Sequence, residues 1–356
     1  MKYGPIILRI ALIYPAAALG GWAASAIGVP LAWLLGPLIV TAVLAMSNVI
    51  VPASARLRRL GQTTIGATVG LGFTPEVAER VISWLPLILV SAAVSILISA
   101  VFSTILARLA SLDHRTAYFG NLPGGLAEMS NVGQSIGARP EPIVLIQTIR
   151  VTLVVLLIPP FIRATGLSGN VPDMLGRDEL PLDRVLIVIA LCLCFAWLIG
   201  RLRVNNPWPV GAIVTSAILL STGLVRGSIP HDAFVLSQFF LGISLGSRLQ
   251  RSMVASMPRV ALSSVPVVMM SAAASALYAI GIAWLMGIGV TTALLGTSAG
   301  GMSEMAATAH TLHVSAQLVL GFHVARNIMV NGFATAFLRA LERVKFFDFM
   351  DRQFRR

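Results

Sequence analysis

The amino-acid sequence predicts an all-α polytopic membrane protein with two inverted repeats. Each repeat is expected to hold about five transmembrane helices plus one re-entrant, discontinuous helical segment. Three observations support this prediction: a low share of charged residues, apolar stretches long enough to cross a bilayer, and a block of sequence that occurs twice.

Apolar stretches dominate the composition. Charged residues make up 11% of the 356 residues and hydrophobic residues 56%, with a mean hydropathy of +0.86, whereas soluble domains carry about a quarter charged residues. Residues 84–106, 184–198 and 260–285 are long apolar runs. Because a bilayer core of about 30 Å needs about 20 apolar helical residues, such runs predict transmembrane helices and a lipid bilayer as surroundings.

The positive charge is spread over short segments between the predicted helices. The formal net charge is +12, a value that also occurs in nucleic-acid-binding proteins. Scattered basic residues are typical of cytoplasmic loops, so we do not expect direct binding of nucleic acid. The basic residues concerned are Arg56, Arg58, Arg59, Arg201, Arg203, Arg248, Arg251 and Arg259, followed in the C-terminal part by Arg339, Arg343, Lys345, Arg352, Arg355 and Arg356.

One block of sequence occurs twice. The residues GNLPGGLAEM at 120–129 correspond to GTSAGGMSEM at 296–305, an offset of 176 residues (296 − 120). A nearly equal offset, 175, relates residues 35–41 to residues 210–216. We interpret this pattern as an internal duplication. The offset of 176 also pairs Arg150 with Arg326, Gln147 with His323, and Gln62, Gly66 and Gly70 with Gln238, Gly242 and Gly246.

The duplication sets the predicted domains and helices. We expect membrane repeat 1 at residues 1–163, a polar linker at 164–183, membrane repeat 2 at 184–345 and a basic cytoplasmic tail at 346–356. Residues 5–25 are interpreted as a retained transmembrane helix rather than a signal peptide, because the second half has a matching helix. The predicted segments are 5–25, 31–49, 60–75, 83–109, 117–136 (Gly-rich) and 141–162 in the first repeat, and 184–200, 208–224, 233–248, 260–286, 291–311 (Gly-rich) and 315–337 in the second.

Charge indicates how the repeats are oriented. If the Gly-rich segments crossed the membrane fully, Arg201 would lie on the opposite face from Arg56 and Arg59. If each segment enters and leaves on one face, the repeats are inverted and the basic loops all become cytoplasmic. The positive-inside rule favours the second arrangement, with both termini in the cytoplasm and the protein in the bacterial inner (plasma) membrane.

Two carboxylates are the first candidates for a binding site. Glu128 and Glu304 are the only acidic residues inside predicted membrane segments, and each follows a Gly-Gly pair, Gly124-Gly125 or Gly300-Gly301. A carboxylate at bilayer depth costs about 2.5–3.5 kcal/mol, so it usually faces a cavity or a partner. Either each Glu caps its own interrupted segment, or both line a substrate or ion site. The recurrence favours the second interpretation.

Arg150 and Arg326 are the only deep basic residues of the last helix in each repeat. One interpretation is a salt bridge to Glu128 or Glu304 that holds the re-entrant segment. The other is a clamp for a carboxylate or phosphate. The remaining candidates are polar: Gln147 and His323 beside the arginines, and Gln62 and Gln238, whose helices carry glycines at a spacing of four that predicts close helix packing.

No metal or cofactor is predicted, and the chain is not expected to be an enzyme. His310, His313 and His323 with Glu304 raise the question of a metal site, but the first repeat has Gln134, Gly137 and Gln147 at the equivalent positions. No catalytic Ser/His/Asp or Cys/His pattern and no Walker-type phosphate loop stands out, so ATP-driven transport by this chain alone is not expected.

Three motifs resemble a known family. They are WLLGP at 33–37, PGGLAEM at 123–129 and AGGMSEM at 299–305. They resemble the duplicated bacterial AbrB-type membrane protein family, over nearly the whole chain; the family is catalogued as an ammonia monooxygenase or as a membrane regulator of gene expression. The small DNA-binding AbrB regulator shares only the name. The second copy departs from the first motif, with WPVGA at 208–212.

Three functions follow as hypotheses. The repeat pattern favours a secondary transporter or permease for a small anionic metabolite. In this hypothesis Glu128 and Glu304 carry coupling protons or shape the site, and Arg150 and Arg326 neutralise the solute. The resemblance implies instead a membrane-embedded regulator that senses a small molecule. A membrane oxygenase is disfavoured, because no copper or iron ligand set is evident. Helix faces rich in glycine and alanine are compatible with a homodimer.

Overall fold

The chain is all-helical in its described part. The structure, a computed structural model, describes residues 4–167, 178–202 and 204–353. Within these residues the only extended pairing is an isolated β-bridge between Glu179 and Ser228. Half of the predicted linker (residues 168–177) and the residues Arg203, Arg355 and Arg356 lie outside the described residues.

Seventeen helices are present in the described residues. The first eight are α1 (Gly4–Ala26), α2 (Ala32–Met46), α3 (Ala55–Gly70), α4 (Pro75–Ser83), α5 (Leu85–Ala110), α6 (His114–Asn121), α7 (Leu126–Ser135) and α8 (Pro140–Ala164). The others are α9 (Leu182–Arg201), α10 (Pro207–Ser221), α11 (His231–Gly246), α12 (Arg251–Ser256), α13 (Pro258–Met286), α14 (Val290–Thr297), α15 (Met302–Thr311), α16 (Ala316–Arg343) and α17 (Phe346–Gln353).

Five of these helices are long and apolar enough to cross a membrane. They are the segment Ile7–Ala26 of α1 together with α5, α8, α9 and α13. Two shorter apolar helices, α2 and α10, have 15 residues each. Many large apolar side chains of these helices point outwards, for example Trp284, which is 87% exposed. Length, composition and exposure therefore support the predicted membrane helices at the coarse level.

Several predicted boundaries are wrong. The first basic loop is part of α3, which begins at Ala55 because the Ser54 hydroxyl accepts a hydrogen bond from Leu57 N (3.4 Å) and caps the helix. Arg56, Arg58 and Arg59 are therefore helical. In the same way Arg251, Arg259, Arg339 and Arg343 lie in α12, α13 and α16 rather than in loops or a tail. The helices α4, α12 and α17 were not predicted.

The chain divides into two compact units, and each unit takes segments from both halves of the sequence. Unit 1 consists of Met1–Trp84, Val155–Ser252 and Gly301–Leu320, and unit 2 of Leu85–Val154, Met253–Gly300 and Gly321–Arg356. This division follows packing, so the boundaries of the two sequence repeats stay a prediction.

In unit 1 the predicted glycine faces are packing surfaces. A Cβ atom added at Gly66 would lie 2.7 Å from Pro209 O on α10, and one added at Gly242 would overlap Leu34 O on α2. The helix pairs α3–α10 and α2–α11 therefore approach each other closely, which confirms the packing interpretation of these spacings.

In unit 2 the first Gly-rich segment is a helical hairpin whose two ends meet. Its first half, α6, and its second half, α7, pack against each other. Arg115 Nη1 donates to Ile136 O (3.1 Å), and Arg139 N donates to Thr116 Oγ1 (2.9 Å). The two ends of the segment therefore lie close together, and its re-entrant placement in a membrane stays a prediction. Tyr118 is fully buried and its hydroxyl donates to Ala334 O of α16 (3.2 Å).

Candidate functional site

The first Gly-rich segment is interrupted at residues 122–125, called here the first break. Leu122 ends α6 in an extended conformation (φ −61°, ψ 134°), as expected for a residue before proline. Gly125 is also extended (φ −70°, ψ 141°) and is the N-cap of α7. Neither glycine of the break has a positive φ, so the space around them explains their presence: a Cβ atom at Gly124 would lie 2.7 Å from the buried Met129 side chain.

The second Gly-rich segment has an equivalent interruption at residues 298–301, the second break. Ser298 (φ −60°, ψ 144°) ends α14, and Gly301 (φ −73°, ψ 149°) is the N-cap of α15. The break forms with Ala299 where the first break has Pro123. The predicted interruption of both Gly-rich segments is therefore present.

Arg150 holds the first break through backbone oxygens. Its guanidinium is buried, with the residue 2% exposed. Nη1 donates to Asn121 O (3.2 Å) and to Leu122 O, and Nη2 lies 3.5 Å from Gly124 O. The last carbonyls of a helix have no partner within the helix, and a cation at this end also interacts favourably with the helix dipole. Arg150 therefore stabilises the open end of α6.

Gln147 adds to the same interaction. Its Nε2 donates to Phe119 O and Leu122 O, both at 2.9 Å, and its Oε1 accepts from Arg150 Nη2 at 2.7 Å. The amide thus connects the α6 carbonyls to the guanidinium, and Gln147 itself is 1% exposed.

Arg326 and His323 repeat this arrangement at the second break. Arg326 donates to Ser298 O through Nη1 and to Gly300 O through Nη2 (3.1 Å), and Nη2 also lies 2.9 Å from His323 Nδ1. His323 Nε2 lies 2.9 Å from Leu295 O. Because a carbonyl only accepts and a guanidinium only donates, these contacts require His323 to be neutral with its proton on Nε2. His323 therefore replaces the Gln147 amide group for group.

The predicted salt bridge between Arg150 and Glu128 is wrong. Neither Arg150 nor Arg326 takes part in any ion pair found among residues 4–167, 178–202 and 204–353. The reason is that carbonyl oxygens at the helix end already occupy the Nη groups of Arg150. The Nε atom of each arginine is also buried and has no hydrogen-bond partner in this part of the chain. The same is true of Asn121 Oδ1.

Glu128 and Glu304 turn back on their own helix ends. Each is the third residue of its helix and is half-buried. A Cβ atom added at Gly125 would overlap the Glu128 carboxylate, and one added at Gly301 would overlap the Glu304 carboxylate. An acidic side chain in the first turn stabilises a helix N-terminus. The local geometry therefore fits the capping interpretation, and the coupling role stays a prediction.

Glu304 interacts electrostatically with one basic side chain of unit 1, Arg248. Burial lowers the pKa of Arg248, which follows α11; the charge of Arg58 lowers it further and that of Glu304 opposes the shift. The position equivalent to Arg248 in the first half is Gly72, so this basic neighbour belongs to the second half alone.

The other predicted site residues are divided between the units. Gln62 (half-buried) and Gln238 (4% exposed) lie in unit 1 on the packed helices α3 and α11, together with Gly301 and Glu304. The members in unit 2 are Gly124, Gly125, Glu128, Gln147, Arg150, Gly300, His323 and Arg326. Among the residues that the structure describes, no three His, Cys, Asp or Glu side chains are grouped as metal ligands.

Sequence reasoning missed two features of the site. One is the backbone oxygens that accept from the arginines, and the other is the side chains that attach the ends of α6 and α14 to neighbouring helices. Asn121 Nδ2 donates to Ser99 O (2.9 Å), and at the equivalent position Thr297 Oγ1 lies 3.5 Å from Ser275 O. The constant offset of 176 was the signal available, because it relates both members of each pair. The backbone oxygens have no sequence signal.

These features define a class: an all-helical protein with apolar helices of membrane-spanning length and two interrupted segments, each held by a buried arginine. The sequence profile described as "Transition state regulatory protein AbrB" matches residues 33–342, and the chain belongs to this family.

Two relatives extend the comparison. The chain is similar to "Uncharacterized protein YhjN" of Bacillus subtilis (strain 168), with 29% identity over 374 residues that cover 97% of this chain and 96% of the relative. It is also similar to "Putative regulator AbrB" of Escherichia coli (strain K12), with 25% identity over 320 residues that cover 87% of this chain and 90% of the relative.

Proposed function

We propose that this chain is a secondary transporter or permease of the bacterial inner membrane that carries a small anionic metabolite. The observation that carries the proposal is the pair of buried guanidinium groups, Arg150 and Arg326, at two helix breaks without a carboxylate partner in the described residues. A buried charge normally has a counter-ion, and interrupted helices are typical of the binding sites of secondary transporters. A small anion supplies the missing charge.

We further propose that the chain is a duplicated molecule with inverted halves. Equivalent contacts recur at the offset of 176 within unit 2: Gln147 with Phe119 O corresponds to His323 with Leu295 O. Unit 1 has reciprocal contacts, because α3 packs on α10 while the equivalent α11 packs on α2. Reciprocal packing of this kind, between helices of one half and the equivalent helices of the other, is expected when a two-fold axis relates the halves. The packing therefore supports an internal symmetry of the type that alternating-access transporters commonly have.

The two glutamates are proposed to carry coupling protons. Glu128 and Glu304 occupy the same position relative to each break, and each carboxylate lies against the glycine at the N-cap of its helix, Gly125 or Gly301. A proton on either carboxylate changes the charge beside the break by one unit. We therefore expect both residues to be needed for accumulation against a gradient.

Transport is tested by counterflow in proteoliposomes. Vesicles with purified protein are loaded with each member of a panel of metabolic anions, and uptake of the labelled anion is measured. In the same vesicles with an imposed proton gradient, Glu128→Gln and Glu304→Gln are expected to abolish uptake against the anion gradient while expression stays normal. Glu141→Gln is the matched control, because Glu141 is exposed at the start of α8. Wild-type uptake by both variants would contradict the coupling role of the glutamates. The absence of counterflow for every anion in the panel would contradict the carrier function.

A membrane-embedded regulator of gene expression is the alternative function. The observation in its favour is the family description as a regulatory protein and the name of the Escherichia coli relative. Such a protein binds a small molecule without moving it across the bilayer and acts through a partner. Binding without counterflow would favour this function, because a carrier with an occupied site exchanges its solute. A membrane oxygenase is the third and least supported function; metal analysis of the purified protein tests it.

A further inference from the structure

We propose that the solute held at the two breaks is a small dianion, a dicarboxylate or a doubly charged oxyanion, rather than a monoanion; this rests on the proposed carrier function. Arg150 and Arg326 lie in the same unit, at breaks that are attached to two helices packed on each other. Asn121 beside the first break donates to Ser99 O of α5, Thr297 beside the second break lies 3.5 Å from Ser275 O of α13, and α5 packs on α13. Both arginines are more than nine-tenths buried. Two like charges in one buried region repel each other, so an occupant that neutralises both is favoured over one that neutralises a single charge.

The carbonyl oxygens at the breaks accept hydrogen bonds from the two guanidinium groups but leave their positive charges in place. The C-terminal end of α6 carries a partial charge of about −0.5, and the N-terminal end of α7 carries about +0.5. Both ends lie at the four-residue first break, so the α7 end opposes the stabilisation that the α6 end gives to Arg150, and the guanidinium keeps most of its positive charge. Glu128 does not neutralise Arg150 either, because its carboxylate lies against Gly125 and the two residues form no ion pair.

The donors left over also favour two separate anionic groups. The Nη groups of Arg150 and Arg326 are bonded to carbonyls and to Gln147 or His323, so the guanidinium fork is not free to bind one carboxylate bidentately. Each guanidinium has a buried Nε–H with no partner in the described part of the chain. The same atom is unpaired in both halves. A solute with two anionic groups can bind one Nε–H with each group and neutralise both arginines.

Matched pairs of anions test this inference. Binding to the full-length protein in lipid nanodiscs is measured by calorimetry for succinate against monomethyl succinate, which has the same length and one charge fewer, and for sulfate against nitrate. We expect one of the dianions to bind at least about tenfold more tightly than its monoanion partner. Preference within the first pair indicates a dicarboxylate, and preference within the second indicates an oxyanion.

Arginine variants show whether the preference comes from these two groups. Arg150→Gln and Arg326→Gln remove one charge each and are expected to lower the dianion-to-monoanion ratio towards one. Arg150→Lys keeps the charge and should keep the preference. Arg259→Gln, which removes an exposed arginine of unit 2, should leave the ratio unchanged.

The outcomes separate this inference from the carrier proposal. Equal affinity of the wild-type protein for the members of each pair would overturn the dianion while leaving an anion carrier in place. No binding of any of the four anions, together with no counterflow of any anion in the panel, would overturn both. If the Gln variants do not fold, the wild-type comparison alone still decides.

Discussion

At the scale of single residues, the buried arginines are bound by backbone oxygens rather than by acidic side chains. Arg150 and Arg326 each bind the carbonyl group of a helix end, and a neutral side chain three residues earlier accepts from the same guanidinium. The neutral side chain is Gln147 in one half and His323 in the other. An amide and an Nε2-protonated imidazole offer the same donor and acceptor here.

Exchanging glutamine and histidine at these two positions is therefore expected to have little effect on the stability of the protein. His323→Gln should change the stability by less than about 1 kcal/mol, because the amide can accept from Arg326 and donate to Leu295 O. His323→Leu should cost about 1–3 kcal/mol, because it leaves a buried donor and a buried acceptor without partners. Thermal unfolding in detergent compares the two variants. Equal destabilisation by Gln and Leu would show that the imidazole has another role.

The residues of the site were predictable from sequence, but their contacts were not. Glu128, Arg150 and their equivalents stand out because ionisable side chains are rare in apolar segments. Pairing them with each other was the natural expectation, since opposite charge is the partner that a sequence displays. A carbonyl oxygen belongs to every residue, so only the break in α6 makes Leu122 O available to Arg150.

At the scale of helices, glycine determines the closest contacts. Gly66 and Gly70 on α3, and Gly242 and Gly246 on α11, face the backbone of a neighbouring helix. The spacing of four residues was readable in the sequence, and so was the packing it produces. The neighbouring helix was not, because the contact joins residues far apart in the chain.

Adding one methyl group at these contacts should destabilise unit 1. Gly66→Ala places Cβ 2.7 Å from Pro209 O and 2.9 Å from Ala212 Cβ, and Gly242→Ala places it against Leu34 O. Overpacking of this kind costs about 1–3 kcal/mol. Gly281→Ala in α13 is the control, because its Cβ would meet nothing within 4 Å and alanine is the better helix former. Thermal unfolding should separate the variants from the control; equal midpoints would contradict the packing argument.

The helix α17 was missed because it is short and follows a basic stretch. It packs on α5 through the Asp351 cluster, defined as Asp351, Arg108 and His114. Asp351 accepts from Arg108 Nε (3.1 Å) and lies 3.2 Å from His114 Nε2, and Phe347 stacks on the His114 ring with centroids 4.8 Å apart. Only the paired aromatic residues Phe346 and Phe347 hinted at an ordered segment in the predicted tail.

Loss of the Asp351 carboxylate should loosen α17. Asp351→Ala is expected to cost about 1 kcal/mol, since the cluster is about a third exposed and its ion pairs are partly screened. Amide hydrogen exchange of α17 should then be faster than in the wild type. Phe349→Ala removes a side chain of the same helix that is 58% exposed and should leave the exchange unchanged. Faster exchange in both variants would instead reflect a general loss of helix stability.

At the scale of the whole chain, the sequence predicted the helical class and the family but not the compact units. Within the part of the chain that the structure describes, five helices have membrane-spanning length, in keeping with the composition. The units mix both halves of the chain, because α2 and α3 pack on α11 and α10 rather than only within their own half. Contacts between distant segments of this kind leave no periodic signal in the sequence.

The proposed inverted topology makes a prediction about sidedness. The C-terminus should lie in the cytoplasm and the linker at residues 164–183 outside, because the basic loops are then all cytoplasmic. A green fluorescent protein fused after residue 356 should fluoresce in cells, and alkaline phosphatase inserted at position 167 should be active. An inactive phosphatase at position 167 beside a fluorescent C-terminal fusion would require an even number of crossings after the linker and would contradict the inversion.

The α6–α7 hairpin is attached in two different ways at its two ends. Its base is joined by Arg115, which donates to Ile136 O and pairs with Glu342 (2.9 Å), while its tip is held by the guanidinium of Arg150. Mechanically this is a propped cantilever: a beam fixed at its base and supported at its tip by Arg150 and Gln147. We expect a solute that binds Arg150 to shift this support, so that the tip of the hairpin moves while its base stays in place.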